Sequence, residues 1–291
     1  MTIRSDPRAP ILESGERLDE DLTVLDHLGG SRKVDIYLCR SRSLKRLVAC
    51  KVLRPEYCID FSSLEDILQE GEILMDLRHP NVVEGYGVDL EDYPRIVMQY
   101  LPGQTVAATF LEGNYAAFDL SDIISVVQQV AEALTYIHDR GLLHLDVKPS
   151  NVIYHEGHAT LIDFSVAKHY SPDRPLRDNA GTRVYMAPEQ TNRQEVGPYT
   201  DVFGLGVLFY ALLTGGVLPY ADEQEIMDTA GKTRRRLNYE VAPPAPSGLN
   251  SVVPDALSAV ALAALRPEPG RRFHTVADFT KALLNAANNL A

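Results

Sequence analysis

The first third of the chain alternates short apolar runs with polar breaks. Leu22–Leu28, Ile36–Cys39 and Leu47–Leu53 are rich in β-branched and aromatic residues. Gly, Ser and charged residues separate them, so three strands of a meander are predicted. Leu64, Leu68, Ile73, Leu74 and Leu77 then recur at roughly helical spacing, predicting a helix over 62–77 that ends before Pro80. Val82–Val88 and Arg95–Leu101 read as two further strands, and Leu101-Pro102-Gly103 breaks the pattern, which places a boundary there. Beyond it the period is mainly helical. Ser121 is the predicted N-cap of a long amphipathic helix carrying Ile123, Val127, Val130, Leu134 and Ile137. Short strands are expected around Asn151–Tyr154 and Thr160–Ile162, then a polar loop from Lys168 to Ala180. Tyr199–Leu213 is apolar nearly all round and should be a buried central helix. Thr275 and Asp278 form a capping box for a terminal helix that turns Val276, Phe279, Leu283 and Leu284 inward. Residues 1–20 are polar, carry two prolines and read as a flexible extension.

The fold class is therefore α+β: a small five-stranded antiparallel β lobe with one helix (about 21–101), then a larger, mainly α-helical lobe (about 102–291). A ligand cleft is expected at the boundary.

Composition narrows the function. With 28 Lys and Arg against 40 Asp and Glu, the net charge is −12, which disfavours nucleic acid or an anionic membrane as primary partner. Cys39, Cys50 and Cys58 are odd in number and lack C-x-x-C spacing, so they read as small apolar fillers in a reducing compartment. The N-terminal MTIRSDPRAP has no apolar core, and Val202–Thr214 is too short and Gly-broken to span a bilayer comfortably. The expectation is a cytoplasmic protein with no membrane segment in this chain.

The chemistry is concentrated in a few motifs. His144-Leu145-Asp146-Val147-Lys148-Pro149-Ser150-Asn151 resembles the catalytic loop of protein kinases. Val48-Ala49-Cys50-Lys51, Ile162-Asp163-Phe164-Ser165 and Gly181-Thr182-Arg183-Val184-Tyr185-Met186-Ala187-Pro188-Glu189 follow in that family's order and spacing. From about residue 22 to its end, the chain is similar to eukaryotic-like (Hanks-type) protein Ser/Thr kinases of bacterial kind.

The resemblance implies a bilobal kinase fold and a role for each matching residue. Asp146 would orient the substrate hydroxyl and accept its proton, and Lys148 would neutralise the transferring phosphate. Asn151 and Asp163 would hold Mg²⁺, with Mn²⁺ as the second ion to consider. Lys51 would pair the ATP α- and β-phosphates with Glu70, Glu72 being the fallback half a helical turn away. Gly29 and Gly30 would lie at the phosphates. Met98 would be the gatekeeper, with the backbones of Gln99 and Leu101 on the adenine edge. Ile36, Ala49 and Ile153 would sandwich the ring; plain core packing is a close rival reading for these three. Thr182 would bond Asp146 and Lys148, Glu189 would pair with Arg272, and Asp201 would cap the catalytic-loop backbone.

The chain also departs from the family. Ser31 and Val34 replace two glycines of the Gly-rich loop, and Arg32 and Lys33 at its tip read as solvated. Leu145 replaces the Arg that meets an activation-loop phosphate, and Tyr170 and Ser171 are the only hydroxyls between Lys168 and Gly181. Ser165 replaces the Gly after Asp-Phe. Gly71 within the first helix and Gly85 beside it suggest a mobile helix, with Lys51–Glu70 closing only on activation. The run Lys232-Thr233-Arg234-Arg235-Arg236 could favour an acidic partner or substrate, and its usual reading is a solvated loop or helix face. The implied function is Mg²⁺-dependent transfer of the ATP γ-phosphate to protein Ser/Thr hydroxyls, autophosphorylation included, without activation-loop phosphate–Arg control. The alternative is a pseudokinase scaffold that acts by partner binding.

Overall fold

The computed structural model describes residues 10–111, 118–171, 173–227 and 233–289. Its chain divides into two compact units. The first runs up to Gln104 and adds Thr160–Ser165; the second holds Thr105–Ala159 and the residues from Val166 onward.

The first unit is built on an antiparallel sheet of β1 (Leu22–Gly30), β2 (Val34–Ser41), β3 (Arg46–Leu53), β4 (Gly85–Asp89) and β5 (Arg95–Gln99), in the order β1-β2-β3-β5-β4. Directly paired residues share a face of a sheet. The registers Ile36↔Lys51↔Ile96 and Leu38↔Ala49↔Met98 put Ile36, Ala49, Lys51 and Met98 on one face. Tyr37, Cys39, Cys50 and Val52 alternate to the other, where they form a buried core with Leu22 and Val24. Leu12 and Leu18 also belong to that core. Residues 10–20 thus depart from the expected flexible extension. The Gly15 N–H donates to Val24 O, the Val24 N–H to Glu16 O, and Arg95 pairs with Asp19. Burying two leucines offsets the entropy of ordering this segment.

Helix α1 (Phe61–Asp76) packs on β4. The glycines read as signs of looseness are close-contact positions instead. A Cβ on Gly71 would lie 2.6 Å from Val88 Cβ, and one on Gly85 would lie 2.8 Å from the Leu74 carbonyl carbon. Absent side chains let helix and strand approach, which is tight packing rather than slack.

Past the first unit's last residue, Gln104, the short strand β6 (Gln104–Thr105) leads into α2 (Val106–Leu111) and α3 (Leu120–His138). The N-cap of α3 is Asp119 rather than Ser121: its carboxylate accepts the Asp122 N–H at 2.8 Å, and Asp122 reaches back to the Asp119 N–H. Then come β7 (Leu142–Leu143), β8 (Val152–His155), β9 (His158–Leu161), β10 (Lys168–His169), β11 (Leu176–Arg177), α4 (Pro188–Thr191) and β12 (Glu195–Val196). The segment expected as a plain polar loop is therefore tied at both ends, β10 to β7 and β11 to β12.

Helix α5 (Pro198–Thr214) is buried from Thr200 through Leu213 and forms the unit's axis. It ends on Gly215 at φ 69°, a left-handed cap that suits glycine. Strands β13 (Ala221–Met227) and β14 (Thr233–Leu237) make a hairpin, so Thr233–Arg236 lie on a strand, not on the expected loop or helix. Lys232 lies outside the described residues. Helices α6 (Pro246–Leu249), α7 (Asp255–Ala264) and α8 (Val276–Asn288) close the unit, with α7 and α8 against α5. Thr275 caps α8, burying Val276, Phe279 and Leu283 and half-burying Leu284. Among the described residues no helix is long and apolar enough to cross a membrane.

Candidate active site

Strand β3 carries Lys51 on the sheet face opposite the Tyr37–Cys50 core, and α1 brings Glu70 to it. Lys51 Nζ donates to both Glu70 carboxylate oxygens at 2.8 Å and to Asp163 Oδ1 at 3.0 Å. Lys51 and Glu70 are buried, while Glu72 is exposed. The ion pair expected to close only on activation is closed here, because α1 is already seated on β4. Burial disfavours the Lys51 ammonium, but Asp163 and Glu70 outweigh it and hold its pKa above the usual lysine value. Glu70 is pushed up, first by burial and also by the Asp163 charge, against the pull of Lys51. One cation thus serves two carboxylates, a cluster of net charge −1 that favours a further cation nearby. Asp163 sits at φ 64°, and the Ser165 N–H points back to its Oδ1 at 3.4 Å.

The remaining expected residues of this unit lie on the sheet that carries Lys51 or directly after it. Gly29 pairs with Ile36 in register, and Ala49 with Met98. The Gln99 N–H is used by Glu84 O at 2.8 Å. Leu101 follows β5 and is half-buried.

The second unit holds the other group. Lys148 Nζ donates to Asp146 Oδ2 and to Thr182 Oγ1, each at 2.5 Å, and the Thr182 N–H donates to Asp146 Oδ1 at 2.7 Å. Asn151 Nδ2 donates to Asp146 O at 2.9 Å and to Asp146 Oδ2 at 3.1 Å, which orients Asn151 Oδ1 as the remaining acceptor. Asp146 is therefore fixed through both oxygens. Ile153 follows on β8, half-buried.

The scaffold beneath is polar and buried. Asp201 accepts the N–H groups of His144 at 2.9 Å and Leu145 at 2.7 Å, and pairs with His138 Nε2 at 2.8 Å. Burial would raise the Asp201 pKa, but the bonds and charge of His138 and the loop N–H hold it below the usual value. Glu189 pairs bidentately with Arg272, both contacts at 2.7 Å.

The profile of the protein kinase domain family matches residues 22–286. The chain belongs to the protein kinase family. Over 268 residues the kinase is 27% identical to the serine/threonine-protein kinase PrkC of Bacillus subtilis, covering 91% of this chain and 40% of that protein. Over 265 residues it is 28% identical to the probable serine/threonine-protein kinase CPE1738 of Clostridium perfringens, covering 90% of this chain and 37% of that one. It thus spans well under half the length of these curated relatives. A crystal structure of the PknI kinase domain of Mycobacterium tuberculosis superposes with a TM-score of 0.71 at 26% identity, covering 94% of the kinase and 99% of that chain. The protein kinase fold expected from the sequence is thereby established.

Two contributors were not legible beforehand. Gln190 donates to Leu145 O at 2.9 Å and Ala180 O at 2.8 Å, tying the Asp146 loop to the segment before Thr182. Its place after Glu189 was the only available signal. Gly204 lets α5 approach the same loop, since a Cβ there would lie 2.9 Å from Val147 Cβ.

Proposed function

We propose that this kinase transfers the γ-phosphate of ATP to serine or threonine hydroxyls of proteins. The observation that carries the reading is the Asp146–Lys148–Thr182–Asn151 network. A carboxylate held through both oxygens can orient an incoming hydroxyl with little reorganisation. In the step, the acceptor oxygen forms a bond to the γ-phosphorus, the bond from that phosphorus to the ADP oxygen breaks, and the hydroxyl proton passes to Asp146. Lys148 offsets charge on the moving phosphoryl group, and its contact with Thr182 is the arrangement expected for a Ser/Thr rather than Tyr acceptor. Lys51, steadied by Glu70, binds the α- and β-phosphates.

The donor chemistry fits a hard divalent ion. Asn151 Oδ1 and the Asp163 carboxylate each offer the hard oxygen that such an ion takes. Few protein ligands, completed by water and phosphate oxygens, is the habit of Mg²⁺, which when bound supplies charge neutralisation at the phosphates.

Independence from activation-loop phosphate belongs to the same proposal. Leu145, in the place of the phosphate-binding Arg, is buried with Leu143 and Val196, and Val166, Tyr170 and Leu176 pack against them. Apolar burial then orders the segment that an Arg–phosphate bond orders elsewhere.

The test is transfer from labelled ATP with Mg²⁺, to itself and to a generic protein, for wild type and Asp146→Asn. Label on Ser or Thr that falls by about 10²-fold or more in the variant supports the reading. A wild type that binds ADP yet never transfers, with Mg²⁺ or Mn²⁺, would replace it with the scaffold reading.

A further inference from the structure

We infer that a buried polar relay on the core face of the first unit's sheet, Tyr37–Asp35–Arg54, sets the shape of the β1–β2 turn, and that residues 11–12 are the relay's outer end. The inference rests on the proposed function in one respect: that this turn lies over the ATP phosphates.

Two of the turn's expected glycines are missing, so its shape cannot come from glycine freedom alone. It is closed tightly instead. The Ser31 N–H donates to Val34 O at 2.7 Å, and the Arg54 N–H donates to Lys33 O at 2.9 Å. Gly30 is demanded by that closure: a Cβ there would lie 2.6 Å from Val34 O and 2.8 Å from Asp35 Oδ1. The tip is also drawn back, with Arg32 Nε on the Tyr57 hydroxyl at 2.8 Å and Lys33 Nζ on Asp66 Oδ2 at 3.2 Å. These tip contacts are exposed and so contribute little.

The strong interactions lie underneath. Asp35 is wholly buried and opposes Gly30 in register. Its Oδ1 accepts a hydrogen bond from Arg54 Nη2 at 2.8 Å and lies 3.2 Å from His27 Nε2. Arg54 therefore holds the turn twice, by its backbone at Lys33 and by its guanidinium at Asp35. On its other side Asp35 accepts the Tyr37 hydroxyl at 3.2 Å, and that hydroxyl accepts the N–H groups of Ile11 at 3.0 Å and Leu12 at 3.2 Å. Burial, and then the Asp35 charge, push the Tyr37 hydroxyl up to about 12, so it stays protonated and donates toward Asp35. A buried carboxylate with a cation on one side and a hydroxyl on the other has one low-energy arrangement, and it fixes the backbone opposite Gly30. Asp35, Arg54 and Tyr37 are positioning residues: they lie on the face away from Lys51 and act through the turn.

Tyr37→Phe and Asp35→Asn test this. Tyr37→Phe keeps the ring in the core and removes only the hydroxyl. The measurements are ADP affinity by calorimetry, KM and kcat for ATP, and hydrogen exchange at the Ser31 amide, each on protein whose thermal transition is intact. Expected are a KM for ATP and a Kd for ADP raised roughly tenfold in Asp35→Asn and roughly threefold in Tyr37→Phe, with kcat within twofold and faster Ser31 exchange. If Asp35→Asn fails to fold, Tyr37→Phe decides alone. Unchanged affinity and unchanged Ser31 exchange in a folded Tyr37→Phe overturn the relay. If wild type binds no ADP, the functional reading fails, and Ser31 exchange alone judges the relay: faster exchange in Tyr37→Phe upholds it, unchanged exchange overturns it.

Discussion

Asp201 accepts the N–H of Leu145 at 2.7 Å, and Leu145 is held at φ 62°, a left-handed conformation uncommon for a branched side chain. Such a conformation costs about 1–3 kcal/mol and persists only where surrounding bonds over-determine it. The buried carboxylate does so one residue before Asp146. Asp201→Asn is expected to lower stability by about 3 kcal/mol. Because the Asp201 pKa is depressed, its contribution is full above the ordinary aspartate value and fades as pH falls through the lowered one. Thermal unfolding followed from about pH 6 down to about pH 3 should show an acid-side loss in wild type that is smaller in the variant.

Gly71 offers a sign test. Ala for Gly inside a helix ordinarily stabilises by about 1 kcal/mol. Here the new methyl meets Val88, so Gly71→Ala should lower the melting temperature and weaken ADP binding by shifting Glu70 from Lys51. Adding Val88→Ala should recover much of both losses. A Gly71→Ala protein more stable than wild type would show that α1 is loosely seated.

Leu145→Arg restores the common family residue but places a guanidinium in an apolar cluster. We expect lower thermal stability and lower transfer rate, with no gain from phosphorylation of the segment. Ser171→Ala should change the rate by less than about twofold, as for most surface substitutions away from such features. A drop of orders of magnitude would restore phosphate control.

Arg272→Ala leaves Glu189 buried with the Thr200 hydroxyl, at 3.0 Å, as its remaining side-chain partner. The expected cost is about 3–5 kcal/mol, read by chemical denaturation. The double variant Arg272→Met with Glu189→Leu should be markedly less damaging, because no uncompensated charge remains.

Some features were legible because they are local. The meander, α1, the Thr275 N-cap and the buried helix α5 follow from periodicity and capping chemistry within a few residues; of the expected capping box only the Thr275 half forms, since Asp278 takes the Thr275 hydroxyl and not its N–H. Lys51, Asp146, Asn151 and Asp163 stood out in the sequence because phosphoryl transfer asks for fixed residue types at fixed spacing, and the fold joins Lys51 to Asp163 and Asp146 to Asn151. What Gly71, Gly85 and Gly204 do was not legible, since a glycine means freedom or close approach depending on what stands opposite. For Gly71 and Gly85 that is Val88 and Leu74, for Gly204 it is Val147, and all three contacts are tertiary.

Motif order and spacing were enough to place the chain in its fold family. Folding had to add that Leu12 and Leu18 complete the core, that Lys51 and Glu70 are joined, and that Asp35 and Arg54 brace the β1–β2 turn. Composition and spacing record which groups a chain owns. Whether two of them meet depends on strand register and helix seating, which long-range packing selects.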